Sequence, residues 1–471
     1  MLKETEDQFQ TELYLNIDDL VPKDHLLRKI ARSIDFRFIE AKTKDLYSTT
    51  GRPGINPVIL FKMLFIGYLF GIRSERQLVK EIEVNLAYRW FLGFGFRDKI
   101  PHYSTLSQSR RRRFTESTIY HEIFDEIVWQ AMNKGMVDGK TLYTDSTHLK
   151  ANANKNKYTK QQATDSAKSY LAELEEAVNT DRRANDKDDL PPSDDTPKSR
   201  EIKVSTTDKD SGYMVRDGKP KGFFYLDHRT VDSKYNIITD SYVTPANIHD
   251  SRVYLDRLDY QRLKFGFNVR HVALDAGYMT AHICKGLLER DIYGVIPYRA
   301  KPHRKGYFYI KEFDYDKAKD VYTCPNGLEL KYRTTNRGGN REYVSDGAVC
   351  TGCEDLCKCT SSRNHQRVIT RHVWQDAVDA VYSNRLTEKG KKIYGRRKET
   401  VERSFADAKE LHGHRYARMR GIGKVFEQCL LSAAVQNMKK IALVLSYLFI
   451  YFREMLEIPV INDENQLSAA I

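Results

Sequence analysis

From Thr141 onward the sequence changes period, and that change limits the fold more than any other feature of the chain. "TLYTD" (141–145), "GFFYLDHRTV" (222–231), "YNIITDSYVT" (235–244), "HVALDAG" (271–277) and "IYGVIP" (292–297) are short. All are rich in β-branched or aromatic residues and bounded by turn formers, as strands are. Between them, "SRVYLDRLDYQRLK" (251–264) and "TAHICKGLLERD" (280–291) carry a helical period. Three strands, a helix, a strand, a helix and a strand predict one mixed α/β sheet. Leu142 and Tyr143 read as a buried strand entered from Gly139 and Lys140 and ending in Asp145.

The residues before this core read as all-helical. Leu26, Leu27, Ile30, Ala31 and Ile34 keep the helical spacing. "INPVILFKMLFIGYLFGI" offers Asn56 as an N-cap and Pro57 at the first helical position, where its missing N–H costs nothing. Ser74 and Gln77 suit a capping box. "YSTLSQSRRRRF" predicts a helix from Ser104 that ends in Arg110, Arg111, Arg112 and Arg113. Short helices with basic ends suit a helix-turn-helix-like DNA-binding unit; the four arginines could equally offset a helix dipole or lie on a solvated face.

Lysine and arginine number 77 against 64 aspartate and glutamate, a net charge of +13. A surplus of this size points to a polyanion, nucleic acid above all, as partner. No apolar run follows the charged opening MLKETEDQFQ, so no signal peptide is expected. The longest apolar stretch, Ile441 to Phe452, falls short of the roughly 20 residues of a membrane span and reads as a buried helix. The expected compartment is the cytoplasm.

Two segments interrupt the α/β order. Residues 157–204 are polar and contain "DDLPPSDDTP", which predicts a mobile insertion. Residues 300–385 carry five of the seven cysteines: Cys324 in a Cys-Pro-x-Gly turn, then Cys350, Cys353, Cys357 and Cys359. One CxxC with a distant and a nearby cysteine resembles a four-cysteine zinc ribbon, with Cys324, Cys350 and Cys353 as ligands and Cys359, or alternatively Cys357, as the fourth. Reduced thiols without metal are the other reading. A long helical stretch closes the chain. The expected organisation is a helical DNA-binding unit at 1–135, the first part of the core at 136–299, a Cys-rich insertion at 300–385, the helical remainder of the core at 386–455, and a tail at 456–471.

Three acids stand out by position. Asp145 ends the first of these strands and Asp275 the fourth, and Glu402 lies within the first turns of the helix in "ETVERSFADAK". Strand ends of an α/β sheet share an edge where ligands collect. Carboxylates a few Å apart stay ionised together only around a cation. Oxygen-only ligands suit Mg²⁺ or Mn²⁺, and two such ions about 4 Å apart are suited to phosphodiester displacement. Taken singly, each acid is more ordinary as a turn, cap or solvated residue.

In this order, the residues resemble the DDE transposases of bacterial insertion sequences. "GRPGINPVILFKMLFIGYLFGIRSERQL" with "PHYSTLSQSRRRRF" is similar to their N-terminal helical domain, and "YTDSTHLKANANK" and "HVALDAGY" to the strands of the first two acids. "YGRRKETVERSFADAK" resembles the Tyr-Arg-Glu-Lys signature of the branch with an insertion before the last acid. It departs by one residue, with four positions rather than three between Arg397 and Glu402, so that Lys398 takes the expected basic place. The resemblance implies a ribonuclease-H-like core with Asp145, Asp275 and Glu402 catalytic and holding two Mg²⁺ or Mn²⁺. It implies Arg397 and Lys409 on DNA phosphates, assembly as a dimer or more on DNA, and a bacterial, nucleoid-associated enzyme.

"HGHRYARMRGIGKV" adds Arg415, Arg418 and Arg420 as candidate phosphate contacts. Asp250, in "ANIHDSRVY", also resembles a motif of that family, but it precedes a helix and reads first as an N-cap. The expected function is metal-dependent cleavage at the terminal inverted repeats of an insertion element, followed by strand transfer from a 3′-hydroxyl. A metal-dependent nuclease of the same fold and a domesticated, non-catalytic DNA-binding protein are the rival readings.

Overall fold

A computed structural model describes residues 16–455 apart from 49, 51–53, 116, 165–169, 192–198, 216–217, 219 and 299–303. The tail at 456–471 lies outside the described residues. Up to Asn133 the described elements are all helical, and from Thr141 to Val295 strands and helices build the predicted mixed α/β core.

The first sheet contains β1 (Thr141–Lys150), β2 (Tyr158–Thr164), β3 (Ser199–Ser205), β4 (Gly212–Met214), β5 (Gly222–Asp232), β6 (Ile238–Pro245), β7 (His271–Ala273) and β8 (Tyr293–Val295). The order is β2-β3-β4-β5-β1-β7-β8, with β6 also paired to β5. β5 lies antiparallel to both β1 and β6, whereas β7 and β8 continue from β1 in parallel. All eleven residues of β5 are buried, as befits a central strand covered on both faces. The segment 157–204 contains β2, β3 and a helix, Leu171–Ala184, that docks on a second sheet. That sheet is antiparallel and five-stranded: β9 (Asp314–Asp316), β10 (Val321–Thr323), β11 (Glu329–Thr335), β12 (Asn340–Val344) and β13 (Val368–His372). The chain then returns to the first sheet, where the helix Gln375–Leu386 packs against β8.

Caps explain where the N-terminal helices begin. The Asn56 side chain accepts from the N–H groups of Val58 and Ile59 at 2.8 and 3.4 Å, with Pro57 as the first helical residue. Ser74 accepts from Gln77 N at 3.4 Å, but the Gln77 side chain turns forward to Glu81 at 2.7 Å, so half of the expected capping box forms. The arginine-bearing helix starts at Tyr103, capped by His102, and its four arginines fall in a π-helical turn, Arg110–Phe114.

One helix, Ile422–Met455, ties the molecule together by packing on β6 and on the helices Leu26–Ser33, Pro57–Leu69 and Ile119–Asn133. By length and composition Ile422–Tyr451 could cross a membrane. Its buried part runs from Val425 to Ala442, whereas Tyr447, Phe449, Ile450 and Tyr451 are exposed. The apolar stretch expected to be buried is therefore mostly outside the core; the buried part is the more mixed sequence before it, which has the sheet as a neighbour.

Asn437 of this helix is fully buried, and it accepts from the N–H of Ile238 at 2.8 Å and donates to its carbonyl at 2.7 Å. Leucine there would fill the space but leave both backbone groups unpaired, at roughly 1–3 kcal/mol each. Asn437→Leu should lower unfolding stability by roughly 2–4 kcal/mol, read from urea titration. An unchanged midpoint would show that this amide does not hold the helix to β6.

Candidate active site

Asp145 does not end its strand. β1 continues to Lys150 along β5, but its parallel pairing with β7 stops at Tyr143, two residues earlier. The sheet opens on that side, and Asp145 sits at the opening. Asp275 lies two residues past the end of β7, at the head of the turn Ala276–Tyr278, and is exposed. Gly277 lies within that turn. It has no positive φ, and a Cβ on it would meet nothing within 4 Å, so glycine is not required.

Glu402 lies in the first turn of the helix Val401–Leu411, half-exposed. That helix forms because Val401, Ser404, Phe405 and Ala408 give one buried stripe at helical spacing. Lys409 follows Glu402 by seven positions on the same helix and is partly buried.

Arg397 gathers these parts. Its guanidinium is almost completely buried and donates to the carbonyls of Thr144 at 3.0 Å and Ala273 at 3.1 Å, the chain beside Asp145 and the end of β7. It also donates to Asp145 Oδ2 at 2.7 Å, and its Nε stands 3.8 Å from Glu402 Oε1. Arg397 is thus an internal clamp and is not presented to a phosphate. Lys398, the alternative by spacing, is exposed. Burial pushes the Asp145 carboxyl up to about 6, with Arg397 opposing and the nearby charges of Asp275 and Asp250 adding to the rise.

Asp250 is not the N-cap expected of it. His249 caps the short turn Asp250–Arg252, and Asp250 Oδ1 is buried without a hydrogen-bond partner. It is thus a fourth carboxylate whose charge acts on Asp145, at a position where the sequence offers both a likeness to a family motif and the more ordinary reading of a cap. Burial, and after it the charges of Asp250 and Asp145, push the Tyr278 phenol up.

The all-oxygen donor set fits a hard divalent cation, and Asp250 Oδ1, buried without a hydrogen-bond partner, belongs to a carboxylate whose charge acts on Asp145. The ligand atoms of Asp145, Asp275 and Glu402 are not within a mutual 4.8 Å. Among the described residues that criterion is met by Asp227, His414 and Cys429, all buried. Arg229 already pairs with Asp227 there, through Nε at 2.9 Å and Nη2 at 2.8 Å, and His414 Nε2 lies 2.8 Å from the same carboxylate oxygen. Burial raises the Asp227 carboxyl, but Arg229 and His414 outweigh it and hold it at about 2. A fixed guanidinium occupies the place a cation would need, so this cluster is a buried ionic network. Arg229 also donates to Ser404 at 3.3 Å, fastening the Glu402 helix from beneath.

The expected DNA contacts divide. Arg110 is buried against Glu75 at 2.5 Å and Glu427 at 3.6 Å. Arg418 donates to the carbonyls of Ile72 and Gly67 and stacks on Tyr68 at 4.0 Å. These two arginines join the N-terminal helices to the C-terminal segment, pairing with acids and carbonyls that burial takes away from water. Arg113 stacks on Tyr47 at 4.6 Å, whereas Arg111 and Arg112 are exposed or nearly so. Arg415 is exposed and pairs with Glu410. Arg420 is exposed beside Lys150 and Tyr416 around one shallow cavity, with Arg73 5.4 Å from the Tyr416 ring.

Two families match the sequence. Residues 15–112 match a transposase domain (DUF772), and residues 323–442 match a transposase DDE domain. No curated protein matches. A solved structure, the cryo-EM structure of piggyBac transposase synaptic complex with hairpin DNA, is similar at 11% identity and a TM-score of 0.33, over 93% of this chain and 82% of that one.

The clamp can be tested by a double-mutant cycle. Arg397→Met leaves Asp145 buried and unpaired and should cost roughly 3–5 kcal/mol in unfolding stability. Asp145→Asn added to it should restore part of that loss, read from urea titrations of the three variants. Equal losses with and without the second change would show that the ion pair is not what Arg397 provides.

Proposed function

The chain is a DDE-type DNA transposase of the insertion-sequence kind, and we propose that Asp145, Asp275 and Glu402 are its catalytic carboxylates. The observation that carries this reading is the buried Arg397 clamp, which joins Asp145, the end of β7 before Asp275, and Glu402 across 257 residues of chain (402 − 145). The core is ribonuclease-H-like on this proposal, a reading supported by three antiparallel strands, β6, β5 and β1, continued by the parallel pair β7 and β8.

The three carboxylates would hold two Mg²⁺ or Mn²⁺, with Asp250 close by. Such ions, when bound, lower the pKa of an attacking oxygen and neutralise charge on a leaving one. The residues of the chain do the positioning. Arg397 keeps Asp145 oriented toward the open side of β1, Arg229 seats the Glu402 helix, and Lys409 lies two turns along that helix from Glu402. In cleavage, water attacks a phosphodiester at the element end and a 3′-hydroxyl leaves. In strand transfer that hydroxyl attacks a second phosphodiester, one P–O bond forming as another breaks.

DNA would follow the basic ground at the far end of β1. Lys150 lies five residues from Asp145, about 17 Å along the strand, and adjoins Arg420, Tyr416 and Arg73. Arg111 and Arg112 extend this ground onto the N-terminal helices, which would read the terminal repeat. Two ends must be paired, so a dimer or larger assembly on DNA is proposed.

Asp145→Ala, Asp275→Ala and Glu402→Ala should each lower cleavage of a terminal-repeat duplex by roughly 10³-fold or more while repeat binding persists. The assay follows nicking and strand transfer in Mg²⁺ and in Mn²⁺. Near-wild-type cleavage by any one variant would remove that residue from the site. Cleavage without joined products in the wild type would favour the nuclease.

A further inference from the structure

Cys324, Cys350, Cys353 and Cys359 come from three separate places in the second sheet's unit and line one cavity of about 20 Å³. That is space for a single water-sized sphere. Cys357, the other sequence candidate, is exposed and does not line it. We propose that these four thiolates bind one structural Zn²⁺ and that Cys357 takes no part.

Three observations support the assignment. Cys324 begins the turn Cys324–Leu328, in which Gly327 has a φ of 80° and Leu328 N donates to Cys324 Sγ at 3.3 Å. Asn326 Nδ2 donates to Cys353 Sγ at 3.2 Å. N–H groups aimed at sulfur favour the thiolate, the form that binds metal. Arg367 lines the same cavity, donates to the carbonyl of Cys359 at 2.8 Å and has its Nε buried without a partner. Its positive charge would offset the excess negative charge of four thiolates on one divalent ion. Lastly, among the described residues the buried core cluster of this unit is small, Phe313, Tyr322, Leu330, Tyr343 and Ile369, with Cys324 and Cys359 among the partly buried residues against it. A unit with so small a core commonly needs a metal or disulfides, and all its cysteines are free.

No three of the four sulfurs lie within a mutual 4.8 Å, so metal binding must draw them together to the tetrahedral Zn–S distance of about 2.3 Å. Cys359 is the last residue of the short helix Leu356–Cys359, and Cys353 lies three residues before its start.

The test uses the purified full chain. Elemental analysis should find about one zinc per chain. Exchange with Co²⁺ should give the intense visible bands of a tetrahedral ion and sulfur-to-cobalt charge transfer in the near ultraviolet. Cys357→Ser and Cys429→Ala should keep both signals, whereas Cys353→Ser and Cys359→Ser should lose or alter them. Absence of zinc together with absence of the cobalt bands in the wild type would overturn the proposal. So would loss of the signals in Cys357→Ser, or in Cys429→Ala, which would place the metal beside Asp227 and His414. Should the Cys353 and Cys359 variants fail to fold, the wild-type spectrum and the two retained variants still decide.

Discussion

The candidate site depends on one buried cation. Arg397 is 2% exposed, and it satisfies its charge with two backbone carbonyls, one carboxylate in hydrogen-bond contact and a second nearby. A planar fork of five donors can join the chain beside Asp145, the end of β7 and the start of the Glu402 helix at once; the three-donor tip of a lysine could not span them. The acids themselves repel, and Asp145 is already held above the ordinary carboxylate range by burial. Without the guanidinium, bringing those segments together would bury unpaired charge, which costs several kcal/mol. The clamp is therefore what makes this junction stable.

A second buried network repeats the principle on the neighbouring strand, where Arg229 of β5 is the cross-strand partner of Asp145. Asp227 and Arg229 lie on fully buried β5, with His414 reaching in from the chain after the Glu402 helix and Ser404 from the helix itself. The helix is thus held at its first turn by Arg397 and along its buried face by Arg229, whose guanidinium also lies 4.9 Å from the Phe405 ring. Arg110 and Arg418 serve the N-terminal helices in the same way. Several arginines of a chain with a net charge of +13 are therefore internal fasteners.

The fold was legible wherever burial imposes a period. The five apolar strands of the core and the helices between them could be read because one or both faces are covered. β2, β3 and β4 were not, because sequences such as "YTKQQAT" and "SREIKVS" have no continuous apolar face; Lys160 and Glu201 pair across β2 and β3 at 2.9 Å instead. Asp145, Asp275 and Glu402 could be singled out by their place on elements. The clamp could not, since spacing alone favoured Lys398, and only packing reveals which neighbour is buried. Asp250 reads first as a cap for a similar reason: an acid before a helix has an ordinary explanation, and its orphaned oxygen is visible only in three dimensions.

The Cys-rich unit is attached to the first sheet at both of its ends. The chain leaves the first sheet after β8 and returns in the helix Gln375–Leu386, where Asn384 donates to the carbonyl of Gly294 at 3.1 Å and the Tyr293 hydroxyl lies 2.9 Å from Thr387 Oγ1. The return is tight: a Cβ on Gly390 would come within 1.9 Å of the Asn384 carbonyl oxygen. Both ends of the insertion are therefore fixed on β8 by contacts that involve none of its cysteines. Its body is held elsewhere, where Arg182 donates to Thr334 at 2.7 Å and Asp181 accepts from Thr335 at 2.5 Å and pairs with Arg341. The same docked helix also reaches the first sheet's unit, where Glu173 pairs with Lys285 and Tyr170 stacks on His282. The closure that brings the segments of the acids together is made on the first sheet, where Arg397 joins the chain beside Asp145 to the end of β7.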